Sequence, residues 1–283
     1  MIEKIEQYVK EHQLNFYDVA VMTKDGIKCS YFQPGCKCNA SYSIAKLFIS
    51  TAIGVLIDKS LISEDDKITD ILRRSLTFSY DPIWDGVTVR HALTHRIGID
   101  YGVLDVDRDS TEDYGILDFL RLILTYQLRY QPGMHYCYSD VPSYLLSRVI
   151  SEITGSSADT LINDKIQVPL SFQQTAWSRC PMNYTIGGTG AFMSASDLVK
   201  LAWVYLKNGT YNGKRIISES WVRKAEENHY ELDYVEGTKF IGKGGMYGQM
   251  VMYHKEKNIA IAWHAYEDES IHKELIPYLE SIL

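Results

Sequence analysis

Apolar positions along this chain of 283 residues change period several times. Near the start, Ile2, Ile5, Tyr8 and Val9 recur at helical spacing among charged residues, which predicts a helix over 2–13. DVAVMT and IKCSYF then read as strands, joined by Lys24-Asp25-Gly26, and predict a hairpin. The run after Lys46, LFISTAIGVLI, is apolar on every side and predicts a buried helix. At about eleven residues it is too short to span a bilayer. From about 66 to 190 the pattern is helical with long loops. ASDLVKLAWVYLKNG leads back to alternation, and KFIGK, GQMVMYH and NIAIAWHA predict antiparallel strands before a closing helix. Strands in the first and last portions with helices between predict an α+β fold. Its sheet would use residues 1–65 and 191–283, with 66–190 as an inserted helical region.

Chemistry enters at the edge of that apolar run. Ser43-Ile44-Ala45-Lys46 puts a hydroxyl and an amine three residues apart, on one face of a helix. A serine hydroxyl is a weak nucleophile until a neighbouring base takes its proton. A helix N-terminus also points backbone N–H groups at developing negative charge. The plainer reading of Ser43 is an N-cap, and that of Lys46 a surface lysine. The apolar neighbours of Lys46 predict burial instead, and a buried lysine needs a partner or a lowered pKa. A second Ser-x-x-Lys, Ser270 to Lys273, lies in a polar-faced segment and reads as a cap or a solvated residue.

Later segments separate the two. Tyr138-Ser139-Asp140 follows Gln-Pro-Gly and precedes an amphipathic stretch, and Lys243-Gly244-Gly245 sits among strand-like residues. The order Ser-x-x-Lys, Tyr-x-Asp, Lys-x-Gly resembles the serine β-lactamase and penicillin-binding-protein-like hydrolases, in the branch of class C β-lactamases, esterases and D-peptidases. VTVRHALTHRIGI and GGTGAFMSASDLVKLAWVYLKNGTYNGKRIISESWV resemble further stretches of that family, so the likeness covers nearly the whole chain. It implies an antiparallel sheet flanked by helices, a helical region, and a site in the cleft between them.

The resemblance also implies roles. Ser43 would be the nucleophile, with Lys46 and Tyr138 moving its proton. The N–H groups of Ser43 and Met246 would hold the oxyanion. Lys243 would offer positive potential or support Tyr138. Gly244 and Gly245 would let a substrate approach the strand backbone closely. Two departures move weight from β-lactams toward small esters, other amides and D-amino-acid peptides. Asp140 stands where Asn is usual, and an ionised carboxylate only accepts hydrogen bonds. Gly244 stands where a Thr or Ser hydroxyl commonly binds a substrate carboxylate. A true β-lactamase or D-Ala-D-Ala carboxypeptidase is the alternative, and a non-catalytic penicillin-binding-like sensor is one of another class.

Composition narrows little further. A net charge of −7 and the absence of basic runs exclude a nucleic-acid surface, leaving a small-molecule substrate as the expected partner. The charged first segment reads as no export signal, which predicts a cytoplasmic protein with no membrane association. Cys29, Cys36, Cys38, Cys137 and Cys180 give no paired framework and read as free thiols. His91 and His95 are four apart but lack the Glu of a zinc helix. Asp105, Asp107 and Asp109 lack the Gly and Glu of a calcium loop. No metal or organic cofactor is expected.

Overall fold

A computed structural model describes all residues, 1–283. Its strands are β1 (Phe16–Thr23), β2 (Gly26–Tyr31), β3 (Asn39–Ala40), β4 (Thr175–Trp177), β5 (Ala191–Met193), β6 (Thr210–Tyr211), β7 (Lys214–Arg215), β8 (Asp233–Tyr234), β9 (Phe240–Gly245), β10 (Gln249–His254) and β11 (Ile259–Ala265). Its helices are α1 (Ile2–Glu11), α2 (Ala45–Asp58), α3 (Ile68–Ile71), α4 (Val89–Leu93), α5 (Phe119–Leu124), α6 (Val141–Thr154), α7 (Ala158–Ile162), α8 (Ala195–Leu206), α9 (Glu219–Glu227) and α10 (Ile271–Ser281). None is long and apolar enough to cross a membrane. The chain forms two compact units. One holds Met1–Leu47, Gln167–Ala176 and Ala191–Leu283, the other Phe48–Ile166 and Trp177–Gly190.

The first unit is built on an antiparallel sheet in the order β2-β1-β11-β10-β9-β8. The alternation in β11, Ile-Ala-Ile-Ala-Trp-His-Ala, explains its layers. Ile259, Ile261 and Trp263 share a core with Val19, Val21, Met250 and Met252, covered by Ile5 and Val9 of α1 and Leu275, Ile276 and Leu279 of α10. Ala260, Ala262 and His264 alternate with them, and α8 packs on β11, β1 and β10. The predicted hairpin turns at Gly26, which adopts φ +113°.

In the second unit, α6 is the central helix. Every residue from Val141 to Ser151 is buried, and α3, α4 and α7 pack on it. Pro142 occupies its first turn, where the missing N–H costs nothing, and Gly155 ends it at φ +68°. Phe48, Ile49, Ala52, Ile53 and Leu56 of α2 are buried, as an all-round apolar helix requires. Strand β4 falls inside the stretch read as helices and loops. Three residues are too few to register as alternation.

Candidate active site

The proposed site residues fall into two groups, one in each unit. Ser43, Lys46, Lys243, Gly244, Gly245 and Met246 lie in the first, Tyr138 and Asp140 in the second.

Ser43 sits in a 3-10 turn, Tyr42–Ile44, that runs straight into α2. Lys46 Nζ donates to Ser43 Oγ at 3.0 Å, and Lys46 is 1% exposed. The spacing of three thus delivers the contact the sequence predicts. Ser43 is not the capping residue, however. That position belongs to Ser41, because the 3-10 turn starts the helical path two residues earlier.

Ser41 introduces residues that sequence reasoning missed. Its Oγ lies 3.0 Å from His264 Nε2, and His264 Nδ1 lies 2.8 Å from Asp18 Oδ1. The other oxygen of Asp18 accepts the N–H of Ala195 at the start of α8. All three side chains are buried, at 1% exposure or less. Asp18 and His264 face each other across β1 and β11, so the sheet register creates the pair. The Ser41 N–H donates to the Ala191 carbonyl, and its carbonyl accepts from Ile44. Ser41 is therefore fixed on every polar atom, immediately before Tyr42, which adopts φ +46°. The only sequence signal was a polar residue in each of two apolar strands.

Strand β9 packs against the Ser43 turn. A Cβ on Gly245 would lie 2.7 Å from the Ser41 carbonyl oxygen, so only glycine permits this approach. Gly244 is turned the other way, toward the His272 ring of α10. Met246 follows in a tight turn with Tyr247 at φ +60°. Strand β8 pairs with β9 only at Ile241 and Gly242, which leaves Lys243–Gly245 beyond the end of that ladder. Lys243 Nζ lies 2.6 Å from Glu231 Oε2, with both side chains nearly buried. Glu231 was not foreseen. It lies just before β8, outside the paired residues, so nothing in the strand pattern marks it.

In the second unit, backbone bonds tie the segment before Tyr138 to Leu93-Thr94-His95-Arg96-Ile97-Gly98. Cys137 donates to the His95 carbonyl, Gly133 to that of Arg96, and Tyr130 to that of Gly98. The His95 ring stacks on Tyr138, with centroids 4.8 Å apart, while Tyr138 stays 45% exposed. His91 completes a capping box with Thr88. Helix α4 ends before His95, so the two histidines do not form the helical pair their spacing allows. Asp140 is buried at the start of α6, and Gly188 packs directly on it. Burial and then the charge of Asp140 push the Asp105 carboxyl above its usual range. Asp107 accepts from Thr189, so the acidic loop is tied down at that point. No group of three or more His, Cys, Asp or Glu is placed to hold a metal.

Comparison with known proteins gives the family and the fold. Residues 40–275 match the family model described as Beta-lactamase. An uncharacterised protein of Alkalihalophilus pseudofirmus is 26% identical over 194 residues, covering 62% of this chain and 50% of that protein. A candidate D-alanyl-D-alanine carboxypeptidase of Escherichia coli K12 is 29% identical over 112 residues, covering 40% of this chain. The chain thus spans half the length of the first relative and 22% of the second. Among solved structures, a candidate 6-aminohexanoate-dimer hydrolase from Bacillus anthracis superposes with TM-score 0.82 at 14% identity, covering 98% of this chain and 80% of that one. A family VIII carboxylesterase superposes with TM-score 0.73 at 16% identity, covering 93% and 89%. Both are similar in fold.

Proposed function

We propose that this chain, which belongs to the beta-lactamase family, is a serine hydrolase that forms an acyl-enzyme on Ser43. The observation that carries the reading is the 3.0 Å contact between Lys46 Nζ and Ser43 Oγ, at the start of a buried helix. In the proposed reaction the Ser43 proton passes to the Lys46 amine, its neighbour at 3.0 Å. The Oγ–carbonyl bond forms, and the oxyanion is held by the N–H groups of Ser43 and Met246. The bond to the leaving alcohol or amine then breaks, and that group takes the proton. Water, deprotonated by the same amine, cleaves the acyl–Oγ bond and returns Ser43 to its starting form, releasing the acid. No step calls for a cofactor.

Small esters, other amides and D-amino-acid peptides are the proposed substrates. The family VIII carboxylesterase and the candidate 6-aminohexanoate-dimer hydrolase among the structural neighbours support that range. A D-Ala-D-Ala carboxypeptidase is the second reading, favoured by the Escherichia coli relative.

Hydrolysis of p-nitrophenyl butyrate by the wild type and by Ser43→Ala tests the proposal. Turnover that vanishes in the variant supports it, and equal turnover by both overturns the assignment of Ser43. Release of D-alanine from an N-acylated D-Ala-D-Ala peptide at a higher kcat/KM than the ester would move the assignment to the second reading.

A further inference from the structure

Lys243 raises the question of where its charge acts. Side chains alternate along a strand, so Lys243 projects from the same face of β9 as Gly245. That face meets the Ser41 carbonyl and the Ser43 turn, while Gly244 faces His272. A lysine so placed invites a substrate carboxylate. The place is already taken, because Glu231 Oε2 lies 2.6 Å from Lys243 Nζ and the two side chains are only 6% and 10% exposed. The carboxylate is covalently tethered and neutralises the ammonium, so a substrate anion must either displace a partner of very high effective concentration or share a charge already paired. It must also leave water to do so. Glu231 holds this position at φ +64°, a conformation that side chains other than glycine seldom adopt.

A second observation points the same way. Tyr42 precedes Ser43, and Tyr247 follows Met246. Their rings meet edge to face at 5.3 Å, and Tyr247 stacks on Tyr266 at 4.6 Å. Tyr247 and Tyr266 are 37% and 54% exposed. Flat, half-exposed rings beside the proposed oxyanion site favour an apolar group over an ionic one.

We propose that Glu231 sets the substrate class: by occupying Lys243 it directs the site to uncharged acyl esters with an apolar chain or ring, and against those carrying a carboxylate. This rests on the acyl-enzyme reading of Ser43.

The test compares p-nitrophenyl hexanoate with mono-p-nitrophenyl adipate, which share a six-carbon acyl chain and differ by a terminal carboxylate. The wild type is expected to favour the hexanoate by about tenfold or more in kcat/KM. Glu231→Gln is expected to narrow that preference by about tenfold through a gain on the adipate. Adding Lys243→Met should abolish the gain. A wild type that accepts both esters equally, or a folded Glu231→Gln that changes both alike, overturns the proposal. If the variant does not fold, as judged by circular dichroism, the wild-type ratio decides alone. Loss of Ser43-dependent turnover on both esters is a different failure. It overturns the acyl-enzyme reading, and this inference with it.

Discussion

Tyr42 holds a left-handed φ of +46° one residue before the proposed nucleophile. Such a conformation costs on the order of 1–3 kcal/mol and persists only where its surroundings over-determine it. Ser41 supplies that constraint through His264, Asp18 and the Ala191 carbonyl. Ser41→Ala should therefore lower kcat about tenfold, ~1.4 kcal/mol of barrier, with KM unchanged, because the hydroxyl aims Ser43 without touching substrate. A rise in KM at constant kcat would contradict this. Lys46→Met should cost more, roughly a hundredfold to ten-thousandfold in kcat, since it removes the proposed proton acceptor. The Ser43–Lys46 contact was legible in the sequence because both residues belong to one turn. The Ser41–His264–Asp18 chain was not, because strand pairing sets Asp18 against His264 and only tertiary packing brings Ser41 to them.

At the scale of elements, β9 shows what glycine permits. A methyl at Gly245 would stand 2.7 Å from the Ser41 carbonyl. Gly245→Ala should push the strand from the Ser43 turn, cost most of the activity and lower the unfolding temperature. Full activity in this variant would mean that the close approach is not needed. The strand itself was legible from its flanking alternation. Its partner Glu231 was hidden, because it lies before β8, outside any paired strand. The helix after Lys46 was legible from its unbroken apolar run, yet the 3-10 turn before it was not. Nothing in composition distinguishes a cap at Ser41 from one at Ser43.

For the whole molecule, the two-period pattern was enough to read an α+β fold with the antiparallel sheet built from sequence-distant segments. Two packing details carry a pH dependence. Burial lowers the pKa of His272, behind β9, and of His91, in its capping box, below the ordinary 6.5. The unfolded chain therefore takes up these protons first as pH falls. Their contribution to stability is intact above about pH 6.5 and declines below it, until the folded pKa values are passed. His272→Phe should flatten that decline in a series of unfolding temperatures against pH, whatever it does to the plateau. An unchanged slope would assign the acid sensitivity elsewhere. The central claim concerns one covalent bond. Intact-mass analysis after brief reaction with p-nitrophenyl butyrate and acid quench, followed by peptide mapping, tests it most directly. The account predicts one butyryl group on the peptide carrying Ser43, absent in Ser43→Ala. An adduct on any other residue, with Ser43 unmodified during turnover, would contradict it.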